Sequence, residues 1–146
     1  MMKKALAIVT AALCVCGFSG CGSKTYKDGT YTARSAEYIS DDGTEDGNGY
    51  GEVEITVSGG SISEVSFKTY ELDGTLKDEN YGKEDGEIKN KDFYNKAQRA
   101  RSACDNYASQ LKAKGSLDEV DAVSGATVNF SEFKEAVTAA LKQAEE

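Results

Sequence analysis

Hydrophobic and polar residues alternate along residues 51–58 and 61–72, which is the pattern of half-buried β-strands. The Gly59-Gly60 pair between these stretches is a strong signal for a two-residue hairpin turn. Residues 29–36 alternate as well and contain side chains that favour strands. The first half of the chain is therefore predicted to form a small antiparallel sheet.

Two details refine this sheet. The hydrophobic positions shift between Ile62 and Val65, which predicts a β-bulge or a change of register. Residues 39–49 are acidic and rich in glycine, but their carboxylates miss the spacing of an EF-hand. We therefore predict a solvated loop there, not a calcium site, and a second polar, turn-rich loop over residues 72–92.

Hydrophobic residues recur at three- and four-residue steps in two later stretches, which predicts two amphipathic helices. The first is predicted to begin with Asp92 as its N-cap, to run to about Lys114 and to stop at Gly115. The second is predicted to start near Asn129, with Glu132 completing a variant of the capping box. The predicted buried stripe of the second helix is Phe133, Val137, Ala140, Leu141 and Ala144.

Residues 120–123 are predicted to form one more short strand between the helices. No internal repeat is present in the sequence. The order of strands first and helices afterwards predicts an α+β fold, in which a small twisted antiparallel sheet has both helices packed on one face.

The N-terminus has the organisation of a bacterial secretion signal. Lys3 and Lys4 precede an almost wholly apolar stretch, residues 5–16, that is too short to span a bilayer as a stable helix. Residues 18–21 (FSGC) resemble the lipobox of bacterial lipoproteins, which implies that Cys21 is the lipidated first residue of the mature protein. Plain secretion with cleavage nearby, or an uncleaved anchor, are the alternatives.

This interpretation divides the chain into a lipoprotein signal peptide (residues 1–20), a lipidated tether (residues 21–27) and a folded domain (residues 28–146). Two or three acyl chains on Cys21 hold a protein on a bilayer far better than one chain does. We therefore expect the protein on the extracytoplasmic face of the cell membrane, anchored by lipid.

Composition excludes several kinds of function. The formal net charge is −8, so the surface repels nucleic acid on average. The chain has no histidine, which excludes a Ser/His/Asp or Cys/His catalytic group. Once Cys21 is lipidated and the leader is removed, Cys104 is the only remaining cysteine, so zinc and iron–sulfur sites are excluded as well. Cys104 lies on the apolar face of a predicted helix, where a buried inert thiol is expected.

Residues 121–127 (DAVSGAT) place the hydroxyl of Thr127 on a turn of small residues just before a predicted helix. No neighbouring group can activate this hydroxyl as a nucleophile, which suggests that another protein modifies it. The segment resembles the flavinylation motif of the FMN-binding domain family, which includes the C subunit of the sodium-pumping NADH:quinone reductase. The opening of the domain at residues 26–31 and the valine-rich hairpin are also similar to that family.

The resemblance implies that Thr127 carries FMN through a phosphoester bond made by a separate flavin transferase. It further implies that Asp121 and Ser124 are recognition residues, while Gly125 and Ala126 keep bulk away from the approaching enzyme. A solvated carboxylate and a simple turn hydroxyl are the alternatives for the two recognition residues, and an ordinary residue at the start of a helix is the alternative for Thr127.

For the flavin ring, Tyr81 and Gly82 lie where glycines of related domains approach the cofactor, and Tyr70 is a second candidate for stacking. The alternative for each of these two tyrosines is an ordinary core or surface residue that does not contact flavin.

The function expected from this resemblance is electron transfer by a membrane-anchored, extracytoplasmic flavoprotein with covalent FMN. Such a protein is not an enzyme with its own substrate pocket, and its partners are a flavin transferase, membrane redox proteins and the lipid bilayer. The alternatives are a surface lipoprotein without flavin, which binds a small ligand or a partner, and a domain that binds FMN reversibly.

Overall fold

The computed structural model of the protein describes residues 25–44 and 47–145. The predicted signal peptide, Cys21 and the start of the tether lie outside the described residues, as do Glu45 and Asp46 of the acidic loop. Across the described part of the chain, no helix combines the length and apolar character needed to cross a membrane. The elements in chain order are β1 (Gly29–Arg34), β2 (Tyr50–Ser58), β3 (Ser61–Tyr70), α1 (Lys91–Lys114), a short 3₁₀ helix (Leu117–Glu119) and α2 (Thr127–Glu145).

The three strands form one antiparallel sheet in the order β1-β2-β3. Gly59 and Gly60 connect β2 to β3 with φ angles of 63° and 80°, as a tight hairpin turn requires. The ladder shifts after Thr56, and Ser63 is left opposite no single partner, which is the predicted bulge. The hydroxyl of Ser63 donates a hydrogen bond of 3.0 Å to the carbonyl oxygen of Thr56, so the side chain fills the gap.

Both helices pack on the same face of the sheet, α1 against β3 and α2 against β1 and β2. The alternation in β2 places Val53, Ile55 and Val57 in the core between the sheet and the helices. Aromatic rings join the layers, since the centroid of the Phe133 ring lies 5.0 Å from that of Phe67 and 5.6 Å from that of Tyr107. The predicted α+β fold is confirmed, and so is the buried stripe of the second helix.

The first helix is capped two residues earlier than predicted. The side chain of Asn90 accepts a hydrogen bond of 3.0 Å from the backbone N–H of Phe93, and Asp92 lies inside the first turn. Both residue types suit an N-cap, but Asn90 is the residue with an extended backbone. The predicted stop is confirmed, because Gly115 has a left-handed φ of 72° and donates its N–H to Leu111.

The second helix begins at Thr127, so the prediction of an Asn129 cap and a Glu132 capping box is wrong. A turn closed by the N–H of Ala126 and the carbonyl of Val123 already bends the chain before the helix. The carbonyl of Ala126 then accepts the first helical bond, from Phe130 at 3.0 Å. The side chain of Glu132 is consequently not free to cap and lies buried in the fold.

Residues 120–123 do not form the predicted strand, because side chains of α1 hold their backbone groups. Gln110 accepts the N–H of Asp121 at 2.8 Å and donates to the carbonyl of the same residue at 3.1 Å. The hydroxyl of Tyr107 accepts the N–H of Val123 at 3.0 Å. These bonds take the place of a strand ladder and fix the segment against α1.

The start of the described chain is attached to the hairpin end of the sheet. The carboxylate of Asp28 accepts the N–H groups of Gly59 and Gly60 at 3.1 and 2.9 Å. The N–H of Lys27 donates to the carbonyl of Ala144 at 2.9 Å, which ties the same segment to the last turn of α2. The chain thus enters the domain where β2 and α2 end.

Candidate functional site

A cavity of about 300 Å³ opens beside the first turn of α2. Thr127, Val128 and Asn129 line one side of it, together with Gly125 and Ala126 of the preceding turn. The opposite side comes from the first half of α1, the end of β3 and the loop that follows β3. A cavity of this size lies at the lower end of the range for small-molecule sites.

Part of the wall formed by α1 is apolar. Phe93, Ala97 and Ala100 line the cavity at three- and four-residue spacing, and Tyr81 adds a second aromatic ring from the loop. A flat ligand gains stacking and dispersion contacts from such a surface. This part of the site therefore suits a planar, largely apolar group.

Three cationic side chains line the same cavity, although the protein as a whole is strongly acidic. Lys77 is 6% exposed, and its Nζ donates to the carbonyl oxygen of Gly47 at 3.2 Å and lies 5.0 Å from the centre of the Tyr81 ring. Burial lowers the pKa of Lys77, and the charge of Glu132 opposes that shift. With Lys96 and Arg101, this residue makes the cavity a local site for negative charge.

Thr127 is exposed at the mouth of the cavity, at the start of a 19-residue helix. The first N–H groups of a helix have no helical partner and favour an anion. Gly125 adopts a left-handed φ of 83° with open space around its Cα, while Ala126 is 3% exposed and packs into the core. Backbone conformation and packing, more than the avoidance of bulk, therefore explain these two small residues.

Tyr107 holds the turn that precedes Thr127. Its side chain is fully buried, and its hydroxyl accepts the N–H of Val123 and donates to the carbonyl of Ala126 at 3.1 Å. One side chain of α1 therefore binds both ends of the turn. This arrangement fixes the position of Thr127 relative to the apolar wall, which belongs to the same helix.

The other residues of the motif lie outside the cavity lining. The side chain of Asp121 is 87% exposed and forms an ion pair of 3.3 Å with Lys114. Ser124 is exposed on the turn. Both are accessible to another protein from solvent, and neither contributes to the walls of the cavity.

Of the three residues predicted to contact the flavin ring, only Tyr81 lines the cavity. Tyr81 lines the cavity, whereas Gly82 lines a neighbouring depression. A Cβ on Gly82 would lie 3.2 Å from that of Ala97, so the glycine permits close packing of the loop on α1. Tyr70 stacks on Tyr50, with ring centroids 5.4 Å apart, and is not part of the cavity lining.

Two ionisable groups are buried behind the cavity. Burial raises the pKa of the Cys104 thiol to about 12, which suits the inert thiol that the sequence predicts. Burial also raises the pKa of Glu132 to about 7, and neither of its carboxylate oxygens has a hydrogen-bond partner among the described residues. Within the described ranges, the side chains of Asp, Glu and Cys form no group of three that could hold a metal ion.

Sequence reasoning missed the cations and the buried carboxylate. Lys77 follows β3 in a polar loop, and Lys96 and Arg101 occur on a helix with many charged residues, so nothing in the local pattern distinguishes them. Glu132 does carry a signal. It lies one position before Phe133 and four before Ala136, at the edge of the buried stripe of α2, where an acidic residue is unusual.

Comparisons with known proteins show which proteins this chain is similar to. The family model described as the FMN-binding domain matches residues 47–142. A crystal structure of the CPE2226 protein from Clostridium perfringens has 25% sequence identity and a TM-score of 0.59, with 82% of this chain and 89% of that chain covered. A solution NMR structure of a protein from Clostridium thermocellum has 21% identity and a TM-score of 0.43, with 82% and 93% covered. No curated protein matches the chain.

Proposed function

The chain belongs to the FMN-binding domain family, and on that premise we propose that it carries electrons through an FMN attached covalently to Thr127. The observation that carries the proposal is the position of Thr127, an exposed residue that lines a cavity with both aromatic and cationic side chains. The motif around Thr127 is the one on which the resemblance to flavinylated domains rests.

The cavity fits the two chemically different parts of FMN. The apolar wall with Phe93 and Tyr81 offers the flat surface that an isoalloxazine ring needs. The start of α2 and the side chains of Lys96 and Arg101 offer a site for the phosphate. Both parts lie within one cavity, so a single ligand tethered at Thr127 reaches them together.

Bound FMN would supply one- and two-electron chemistry, and the protein would supply position and charge. The side chain of Tyr107 fixes the turn that carries the attachment point. Phe93 and Ala97 exclude water from one face of the ring, and Lys77 places a buried cation at the cavity wall. In this proposal the domain is an electron carrier and the substrate of a flavin transferase, without a substrate pocket of its own.

Asp121 and Ser124 are available for recognition by that transferase, because both are exposed in the chain segment that leads to Thr127. We further propose that Cys21 carries lipid and anchors the domain outside the cytoplasm, near membrane redox partners. The lipobox at residues 18–21 is the basis for this part of the proposal. An anchored carrier meets membrane partners at a raised local concentration.

Intact mass and fluorescence on a denaturing gel test the attachment. We expect the full chain, produced with a flavin transferase, to be yellow, to gain the mass of one FMN less water and to keep its fluorescence after denaturation. Thr127→Ala is expected to lose the added mass, whereas Thr127→Ser, the matched control, retains an acceptor hydroxyl and a measurable fraction of the label. An unchanged mass in Thr127→Ala would refute Thr127 as the acceptor.

Reversible binding of FMN is the second candidate, and the three cations favour it, because Lys77, Lys96 and Arg101 allow anion binding without a covalent bond. In that case denaturation would release the flavin and leave a colourless polypeptide. A protein that stays colourless with the transferase present would instead indicate a surface lipoprotein that binds another small ligand or a partner.

A further inference from the structure

Glu132 is the one acidic side chain of α2 that lies in the core. It is 3% exposed, and both carboxylate oxygens lack a hydrogen-bond partner among the described residues. A buried, unpaired carboxylate is costly in its charged form, so the group has reason to hold a proton. Its surroundings confirm a tight fit, because a Cβ on Gly51 of β2 would lie 3.1 Å from the Cβ of Glu132.

The position of Glu132 places it directly behind the cavity. It follows Val128 by four residues and Asn129 by three, and both of those residues line the cavity. Residues at these spacings share one face of a helix. Glu132 therefore lies on the cavity side of α2, about 5 Å further along the helix.

The charged and titratable groups around Glu132 come from the loop after β3, from α2 and from α1. Burial is the main cause that raises the pKa of Glu132, Lys77 lowers it from the loop after β3, and Glu135 raises it from α2. Cys104 of α1 is buried on the same side and stays a neutral thiol, since its own pKa is raised to about 12. Lys77 is thus the cation that links Glu132 to the cavity, because it is itself part of the cavity wall.

We propose that Glu132 is a proton acceptor for this cavity, which takes a proton from solvent when negative charge is added beside Lys77 and returns it when that charge leaves. The inference rests on the flavin proposed above, whose reduction adds the negative charge. Lys77 then has two anionic neighbours, and protonation of Glu132 removes one of them. The role is one of positioning charge and does not require Glu132 to touch the cofactor.

Reduction of the proposed flavin requires two electrons and, in this proposal, two protons from solvent. An external donor, an electrode in the test below, gives up two electrons, which reduce the ring in the cavity. The proton that the ring itself takes comes from solvent and is the same in every variant. One further proton from solvent forms an O–H bond at a carboxylate oxygen of Glu132, and reoxidation returns the electrons to the acceptor and this proton to solvent.

The first experiment is a potentiometric titration of the flavin-loaded full chain at pH 6 and pH 8. We expect Glu132→Gln to match the wild type at pH 6, where the carboxyl group is already protonated. At pH 8 the variant should be reduced at a higher potential, because the wild-type carboxylate opposes the added charge until it takes up its proton. Glu54→Gln makes the same change in an exposed side chain of β2 and should leave both values unchanged.

A second readout is the infrared band of a protonated carboxyl group. It should appear on reduction at pH 8 in the wild type and in Glu54→Gln, and be absent in Glu132→Gln. A merely structural role for Glu132 would not produce this band. Equal pH dependence of the potential in the wild type and in Glu132→Gln, or no band in the wild type, would overturn the inference while leaving flavin attachment intact.

A third measurement needs no flavin. In the flavin-free full chain, NMR should show the Glu132 carboxyl group titrating near pH 7, and Lys77→Met should move that midpoint to higher pH. Methionine keeps the length of the side chain and removes one positive charge, which is equivalent to adding one negative charge at the same place. A chain that cannot be flavinylated would refute the proposed function. If the titration midpoint of Glu132 is the same in Lys77→Met as in the wild type, the proton-acceptor role is refuted.

Discussion

The two ends of α2 belong to one helix but lie in opposite kinds of environment. Its first six residues contain the exposed Thr127, the cavity-lining Asn129 and the buried Glu132 without a hydrogen-bond partner. The remaining turns bury a continuous apolar stripe against the sheet: Phe133, Ala136, Val137, Ala140, Leu141 and Ala144. The helix is held in place by its second part, which allows its first part to retain groups that do not favour folding.

The two parts of α2 therefore have different roles, since the later turns stabilise the fold and the first turn belongs to the candidate site. A substitution in the apolar stripe should lower the free energy of unfolding and affect the site only through the fold. A substitution in the first turn, or in the residues that hold it, should change the site at a smaller cost in stability. The following predictions test this division, in order of decreasing effect.

Phe133→Ala should cause the largest loss of stability. The ring is fully buried between Phe67 and Tyr107, and its removal leaves a cavity in the core. Truncations of this kind cost about 3–5 kcal/mol of unfolding free energy. Urea denaturation followed by circular dichroism measures the loss, and the exposed Lys142→Ala of the same helix should stay within about 0.5 kcal/mol of the wild type.

Glu132→Gln should change the pH dependence of stability. The pKa of Glu132 is raised from 4.5 to about 7 in the folded protein, so the folded state binds more protons than the unfolded state between these values. Stability from this group is therefore full below pH 4.5 and falls as the pH rises to about 7, by about 3 kcal/mol in total. Urea titrations at pH 5 and pH 8 should show this loss in the wild type and in Glu54→Gln but not in Glu132→Gln, and parallel pH profiles in all three would contradict the assignment.

Tyr107→Phe should weaken both regions at once. The variant keeps the ring in the core but leaves the N–H of Val123 without its partner, and the carbonyl of Ala126 keeps only the bond from Phe130. An unsatisfied buried group costs about 1–3 kcal/mol, and the turn before Thr127 should loosen. We expect slower attachment of flavin in a timed mass measurement.

The matched control for this prediction lies on the same helix. Tyr94 donates its hydroxyl to the carbonyl of Glu79 at 2.9 Å, in the loop after β3 and not in the motif. Tyr94→Phe should therefore leave the rate of attachment unchanged. If the two variants behave alike, Tyr107 does not position the acceptor.

Gly125→Ala should have the smallest effect of the four on stability. The glycine has a φ of 83°, where a Cβ is disfavoured by about 1 kcal/mol, but nothing lies within 4 Å of that position. Asparagine tolerates the left-handed conformation better than alanine, so Gly125→Asn should lose less. Thermal unfolding of the two variants distinguishes backbone strain from steric exclusion. A larger loss of stability in Gly125→Asn than in Gly125→Ala would contradict the explanation by backbone strain.

The sheet and the stripe of α2 could be predicted because each depends on a periodic pattern along neighbouring residues. The hairpin, the bulge after Thr56 and the buried residues of α2 all follow from spacing and from the glycine pair. The start of α1 was ambiguous, since Asn90 and Asp92 are both suitable caps and only the backbone distinguishes them.

The environment of the motif could not be predicted in this way, because it depends on contacts between distant parts of the chain. The alternation of residues 120–123 fits a strand, but the side chains of Tyr107 and Gln110 bind the backbone groups that a strand would use. The cation at the cavity wall is a similar case. Lys77 reaches the cavity from a loop 50 residues away from Thr127, and local sequence carries no sign of that.

The attachment of residues 26–28 to the hairpin turn and to Ala144 places the start of the domain beside the last turn of α2. From that attachment to the first turn of α2 is the full length of the helix, about 28 Å at 1.5 Å per residue. If Cys21 carries the proposed lipid, the anchored end of the domain and the cavity lie at opposite ends of α2. A redox partner in the membrane would then have to reach the end of the domain that is remote from the anchor.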